Sequence, residues 1–258
     1  MENAYRGLAA ACSCDTGRVR MKNEDNFFFD GKILPAENSA LTEILTMDRS
    51  HLQEPVCFGV FDGMGGEARG ELAAYLAAKT LGERLCYPAD SPEELLNDAC
   101  LTANARICAM ADDNGGKRMG ATAAILFFTD ASVWLCNIGD SRIYRLRDGM
   151  LEQLSQDHTD AAFLMQQEIN NRKALLTQHL GIWPQEMLIE PYIIFEALME
   201  GDKYLICSDG LTDMLSHDEL ASQLRRPEDA ADMVRILISL ALDRGGRDNI
   251  TVILCNIR

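Results

Sequence analysis

The chain has 258 residues, 47% hydrophobic and 25% charged, enough to bury one sizeable core, and residues 1–258 are read as a single domain. Forty acidic against 24 basic side chains give a net charge of −16, which repels phosphate backbones and argues against a nucleic-acid partner. No apolar run reaches the ~18 residues of a membrane span, no basic segment leads into an apolar stretch at the start, and the nine scattered cysteines read as reduced small hydrophobes. A cytoplasmic protein without a membrane partner is expected.

Apolar and β-branched runs predict strands at Leu8–Cys12, Asn26–Phe29 and Val56–Phe61. Residues 32–55 between them read as an inserted loop, with a short helix around Leu41–Met47. Helical spacing follows over Glu67–Leu85 and Pro92–Met110, and then come strands at Thr122–Phe128, Ser132–Ile138 and Arg142–Leu146. The Asp148-Gly149 pair predicts a hairpin turn before Leu151. A short helical stretch, Asp160–Glu168, precedes strands Tyr192–Ala197 and Lys203–Cys207. Helices His217–Leu224 and Pro227–Leu242 lead to a last strand, Ile250–Asn256. Pro92 and Pro227 each suit a first helical position. Strands in blocks, rather than strict strand–helix alternation, predict an α+β fold with antiparallel sheets and helices on their outer faces.

Four aspartates fall beside glycines or at strand ends: Phe61-Asp62-Gly63-Met64-Gly65-Gly66, Ile138-Gly139-Asp140-Ser141-Arg142, Cys207-Ser208-Asp209-Gly210 and Gly245-Gly246-Arg247-Asp248-Asn249. Singly, each is ordinary turn chemistry. Together they read as a cluster, and converging carboxylates repel one another unless cations lie between them. Oxygen-only ligands suit hard ions, magnesium or manganese, rather than zinc. Phosphate monoester hydrolysis needs rate enhancements of up to roughly 10²¹. A pair of such ions about 3.5–4 Å apart activates a water for it without a cysteine or serine nucleophile.

In chain order, Gly17–Asp25, Asp62–Gly66, Met119-Gly120-Ala121-Thr122, Gly139–Arg142, Ser208-Asp209-Gly210 and Asp248-Asn249 resemble the metal-dependent protein phosphatases of type 2C, especially their compact bacterial members. The resemblance runs from Gly17 to Val252. It implies a four-layer αββα sandwich, two antiparallel β-sheets flanked by helices, that hydrolyses phosphoserine and phosphothreonine with Mn²⁺ or Mg²⁺, two core ions and in bacterial members a third. On this likeness Asp62 bridges both core ions, the Gly63 carbonyl binds one, and Asp209 and Asp248 complete the ligands of the other. Glu24 and Asp25 hold bound waters or ligate from behind. Asp140 shares the third, weaker ion with Asp209, and Arg20, four residues before Glu24, grips the substrate phosphate. The implied partners are phosphoproteins, in particular those of a serine/threonine kinase.

Departures from the pattern are Met64, where animal members often carry a histidine, and Ala121, where a threonine is usual. Residues 157–184, which open like the family's mobile flap, look shortened, and His158 and His179 fall within them. Two alternatives share the same core: a hydrolase of small phosphorylated metabolites, and a non-catalytic regulatory module. The second normally loses metal aspartates, all of which stand here.

Overall fold

A computed structural model describes residues 6–37, 40–41, 43–65, 69–113, 115–167 and 172–258. Strands β1 (Leu8–Asp15), β2 (Asn26–Phe29), β3 (Leu45–Arg49) and β4 (Val56–Phe61) open the chain, followed by the two-residue β5 (Gly63–Met64). Helices α1 (Gly70–Arg84) and α2 (Pro92–Asp113) come next. Then follow β6 (Gly120–Ala121), β7 (Ala123–Phe128), β8 (Ser132–Ile138), β9 (Arg142–Arg147), β10 (Met150–Gln153), α3 (Ala161–Gln166), β11 (Tyr192–Ala197) and β12 (Lys203–Cys207). Helices α4 (Asp209–Thr212), α5 (His217–Leu224) and α6 (Ala230–Asp243) precede β13 (Ile250–Ile257).

The strands form a six-stranded sheet, ordered β10-β9-β12-β13-β1-β3, and a five-stranded sheet, ordered β11-β8-β7-β4-β2, with β5 and β6 as a separate pair. Among the described residues every strand pairing is antiparallel. Three apolar clusters fix the layering. Phe58, Leu126 and Phe128 of one sheet meet Tyr204, Ile206 and Ile253 of the other in the middle. On the far side of the five-stranded sheet, Phe61, Ile125 and Cys136 pack on Leu81, Leu96 and Ile107 of α1 and α2. On the far side of the six-stranded sheet, Leu205, Val252 and Leu254 pack on Leu220, Val234 and Leu237 of α5 and α6. This is the expected αββα sandwich. Central strands such as β4 (VCFGVF) and β7 (AAILFF) are buried at every position because both faces are covered, which is why their sequences do not alternate.

The Asp148-Gly149 hairpin forms as expected, with φ of 51° and 75°, the left-handed pair a type I′ turn requires. Three local expectations are corrected. Residues 32–55 are not a plain loop, and the helix expected around Leu41–Met47 is absent among the described residues: Leu45–Arg49 is an edge strand paired with β1 from Leu8↔Arg49 to Cys12↔Leu45. A short apolar run fits either state, and here pairing to β1 decides it. Pro227 is not the first helical residue; α6 starts at Ala230 because the Asp229 side chain accepts the Asp232 N–H and caps it. The helix expected over Asp160–Glu168 is shorter, Ala161–Gln166, and Glu168, like the Glu67 start of the first predicted helix, lies outside the described residues. Among the described residues no helix is long and apolar enough to cross a membrane.

Candidate metal centre

Strand register brings the aspartates together. Asn26↔Phe61 sets Asp25 beside Asp62, Cys207↔Val252 sets Asp209 near Asp248, and Ala123↔Ile138 sets Thr122 near Asp140. Because neighbours run antiparallel, the ends of β4, β8 and β12 and the starts of β2, β9 and β13 share one end of the sandwich. Arg20, Glu24, Asp62, Gly63, Asp140, Asp209 and Asp248 all line one cavity there, of 670 Å³. Of the residues the sequence assigns to metal or phosphate, Asp25 alone stands behind this wall, 1% exposed. Gly66, the last residue of its motif, lies outside the described residues.

Hydrogen bonds and close packing hold the segments that carry Asp62, Asp140 and Asp248. Asp62 N–H donates to Thr122 Oγ1 at 3.0 Å and Thr122 N–H returns a bond to Asp62 O at 2.9 Å. The Thr122 hydroxyl in turn bonds Ser141 beside Asp140, at 2.6 Å. Gly63 is required by space: a Cβ there would stand 2.3 Å from Gly70 O and 2.4 Å from Glu24 O. Gly17, at φ 80°, passes so close to the last loop that a Cβ would meet Asp248 O at 2.2 Å. Asn249 ties these loops together, accepting the Glu24 N–H at 2.8 Å and donating to Thr16 O and Lys22 O.

Asp25 accepts two hydroxyls on one oxygen, Ser208 Oγ at 2.7 Å and Thr251 Oγ1 at 2.6 Å. Burial pushes its carboxyl up to about 7, against the pull of those two bonds, and Asp209 and Asp248 add to the rise. Asp62 is raised as well, first by burial and then by Asp25, Asp209, Asp140 and Asp248. Asp140 is pushed up to about 6 by burial and Asp209, with Lys173 opposing. Glu24 is raised by burial and Glu71. The site thus holds more negative charge than it neutralises.

Two side-chain cations enter it. Arg20 Nη2 lies 2.6 Å from Asp248 Oδ2, and this bond raises the guanidinium pKa. Lys173 Nζ lies 2.6 Å from Asp209 Oδ2 and 2.7 Å from Asp213 Oδ2; burial opposes its charge, but the two carboxylates raise its pKa on balance. Among the described residues no three acidic side chains close into a ready-made ion cage. The donor set nevertheless fits hard cations: all oxygen, mutually repelling, and with Asp209 Oδ1 buried and without a hydrogen-bond partner.

Of the two histidines, His158 is structural. Its Nδ1 accepts the Gly139 N–H at 3.1 Å, its backbone N–H donates to Gly139 O at 2.9 Å, and burial lowers the pKa of the ring. His179 bonds Leu180 O through Nδ1 and lines the cavity. Lys173, Asp213 and Thr251 were not among the candidate site residues read from the sequence, and Thr122 entered only as the last residue of a motif. The Ser208–Asp25–Thr251 group joins residues 183 and 226 positions apart, a separation that carries no local signal.

The architecture is an αββα sandwich with its carboxylates gathered at one end. The chain belongs to the protein phosphatase 2C family, whose pattern matches residues 47–248. It is similar to the serine/threonine protein phosphatase PstP of Mycobacterium tuberculosis, 30% identical over 264 residues covering 97% of this chain and 45% of that protein. The chain thus spans about half the length of that relative. Serine/threonine phosphatase stp of Listeria monocytogenes is 29% identical over 257 residues, covering 93% of this chain and 92% of that one. Among solved structures, the catalytic domain of PstP in complex with two manganese ions superposes with a TM-score of 0.78 at 29% identity, covering 98% and 99% of the two chains.

Proposed function

We propose that this chain is a Mn²⁺- or Mg²⁺-dependent protein phosphatase that hydrolyses phosphoserine and phosphothreonine. The observation that carries the reading is the convergence of Asp62, Asp140, Asp209 and Asp248 with Arg20 on one cavity. Membership of the protein phosphatase 2C family supports it, as do relatives named serine/threonine phosphatases and a neighbour holding two manganese ions.

In this proposal Asp62, the Gly63 carbonyl, Asp209 and Asp248 would hold two core ions, with Glu24 and Asp25 supporting them. Bound there, the ions supply an activated water and neutralise phosphoryl oxygens. Arg20 supplies paired N–H donors to those oxygens, an arrangement a lysine does not reproduce. Thr122 and Ser141 fix the Asp62 backbone, and Ser208 and Thr251 fix Asp25, so the carboxylates are positioned before substrate arrives. Met64 has no proton to give, so the leaving serine or threonine oxygen would take its proton from water rather than from that side chain. The substrates are phosphoproteins, those of a serine/threonine kinase in particular, and the nine free thiols suit a reducing cytoplasm.

Phosphate release from phosphoserine and phosphothreonine peptides, measured beside nucleotides and sugar phosphates with and without manganese, tests the reading. Manganese-dependent release from the peptides is expected. Release from the small molecules alone would replace it with a metabolite phosphohydrolase, and release from neither would leave a binding module.

A further inference from the structure

Lys173 stands out because nothing in the sequence pattern called for it. It lies on the return leg of the segment that leaves the sandwich after Asp157. That leg is held by Asp160 N–H to Leu175 O at 2.9 Å, Leu175 N–H to Asp160 Oδ1 at 2.7 Å and Thr177 N–H to His158 O at 2.8 Å. A fourth contact, Arg172 Nη2 to Asp160 Oδ2 at 2.5 Å, pins the residue next to Lys173. The result is an ammonium set against α4, whose first residue, Asp209, and C-cap residue, Asp213, four residues apart, both accept from it.

The bland reading is an exposed ion pair, and many such pairs contribute nothing measurable. Two observations set this one apart. The carboxylate that Lys173 grips through Oδ2 is the same one whose Oδ1 is buried without a partner. Lys173 also lines, with Asp140 and Asp209, a 120 Å³ cavity on that side of the centre. An ammonium has three donors and a full positive charge, and at Asp209 Oδ2 it excludes a second cation by like-charge repulsion. It therefore competes for the place where the family resemblance puts a third ion.

We infer that Lys173 is a positioning residue of the phosphatase centre: its ammonium serves as a tethered cation on the Asp140–Asp209 side, in place of a third divalent ion, and latches the return leg over the site. This rests on the phosphatase reading of the same cavity. A tethered charge orders Asp209 without being lost at low metal concentration, and it couples the position of the flap to the charge state of the centre.

The test is manganese titration of the full chain, as wild type, Lys173→Met and Lys173→Arg, by calorimetry, with amide exchange over residues 172–177 and phosphopeptide kinetics at rising manganese. Wild type and Lys173→Arg are expected to bind two ions and to keep the return leg protected. Lys173→Met is expected to bind a third, weaker ion and to exchange faster over 172–177. Its kcat should fall by at least about tenfold at low manganese and recover as manganese rises. Two ions in Lys173→Met, with wild-type exchange and kinetics at every manganese level, would overturn the inference and leave a surface ion pair; three ions in wild type would overturn it equally. Failure of the phosphatase reading is a separate outcome, seen when wild type with manganese releases no phosphate from the peptide.

Discussion

Arg20 and Asp248, 228 residues apart in the chain, are joined by a 2.6 Å bond from Nη2 to Oδ2, so the residue assigned to the phosphate is partnered with one assigned to a metal. A guanidinium has five N–H donors, and this bond uses one. The remainder can meet a phosphoryl group without releasing Asp248. Arg20→Ala is expected to raise KM and the inhibition constant of inorganic phosphate by about tenfold or more, with Arg20→Lys restoring little of it. Metal affinity should change far less than either. Steady-state kinetics with both constants unchanged would remove Arg20 from the substrate site.

Thr251 donates to an almost fully buried carboxylate, Asp25 Oδ2. Thr251→Val keeps the shape and removes the donor. It is expected to cost about 1–3 kcal/mol of stability, read by denaturant unfolding in the presence of chelator, and to weaken manganese binding. An unchanged unfolding midpoint would show that the hydroxyl does nothing for Asp25.

Crowding of carboxylates gives the metal-free protein a pH dependence with a definite sign. Asp25 rises from 3.8 to about 7 on folding, through burial first and then Asp209 and Asp248 against its two hydroxyl bonds, and Asp62 is raised by burial and the same neighbours. A carboxyl with a raised folded-state pKa binds its proton more tightly folded than unfolded. Its contribution is complete below about pH 4 and is lost as pH climbs to about 7. Manganese restores neutrality without the proton. The gain in Tm on adding manganese is therefore expected to be larger at pH 7.5 than at pH 5.5, by at least about 4 °C. Equal gains at the two pH values would contradict the charge balance drawn for the site.

Asp140 lies on the Lys173 side of the cavity, its carboxyl pushed up to about 6 by burial and Asp209. Asp140→Asn should leave the two core ions bound, since Asp62, Asp209 and Asp248 remain. Turnover is expected to fall, and to fall further on phosphopeptides than on an aryl phosphate, because an alkoxide needs a proton to leave and a nitrophenolate does not. Equal loss on the two substrates would reduce Asp140 to a turn residue.

What the sequence made legible follows from range. Continuous apolar runs such as Val56–Phe61 and Ala123–Phe128 mark strands covered on both faces, and Asp62, directly after the first of them, marks the functional end of the sheets. These are local signals. The edge strand Leu45–Arg49 was misread because a five-residue amphipathic run takes its state from its neighbour, here β1. Pro227 was misread because the Asp229 cap, two residues on, sets the start of α6. Lys173 was invisible for a different reason: it reaches Asp209 across 36 residues through a segment with no periodicity of its own, and no spacing rule connects the two.

The central claim is that Asp62, the carboxylate at the end of β4, holds the metal centre of a protein phosphatase. Its direct test is manganese-dependent phosphate release from a phosphothreonine peptide by wild type and Asp62→Asn, each shown folded by circular dichroism. The account predicts release by wild type that a chelator abolishes, and a turnover in Asp62→Asn lower by about 10³-fold or more, since a proposed ligand charge is gone. Release by Asp62→Asn within tenfold of wild type would contradict it.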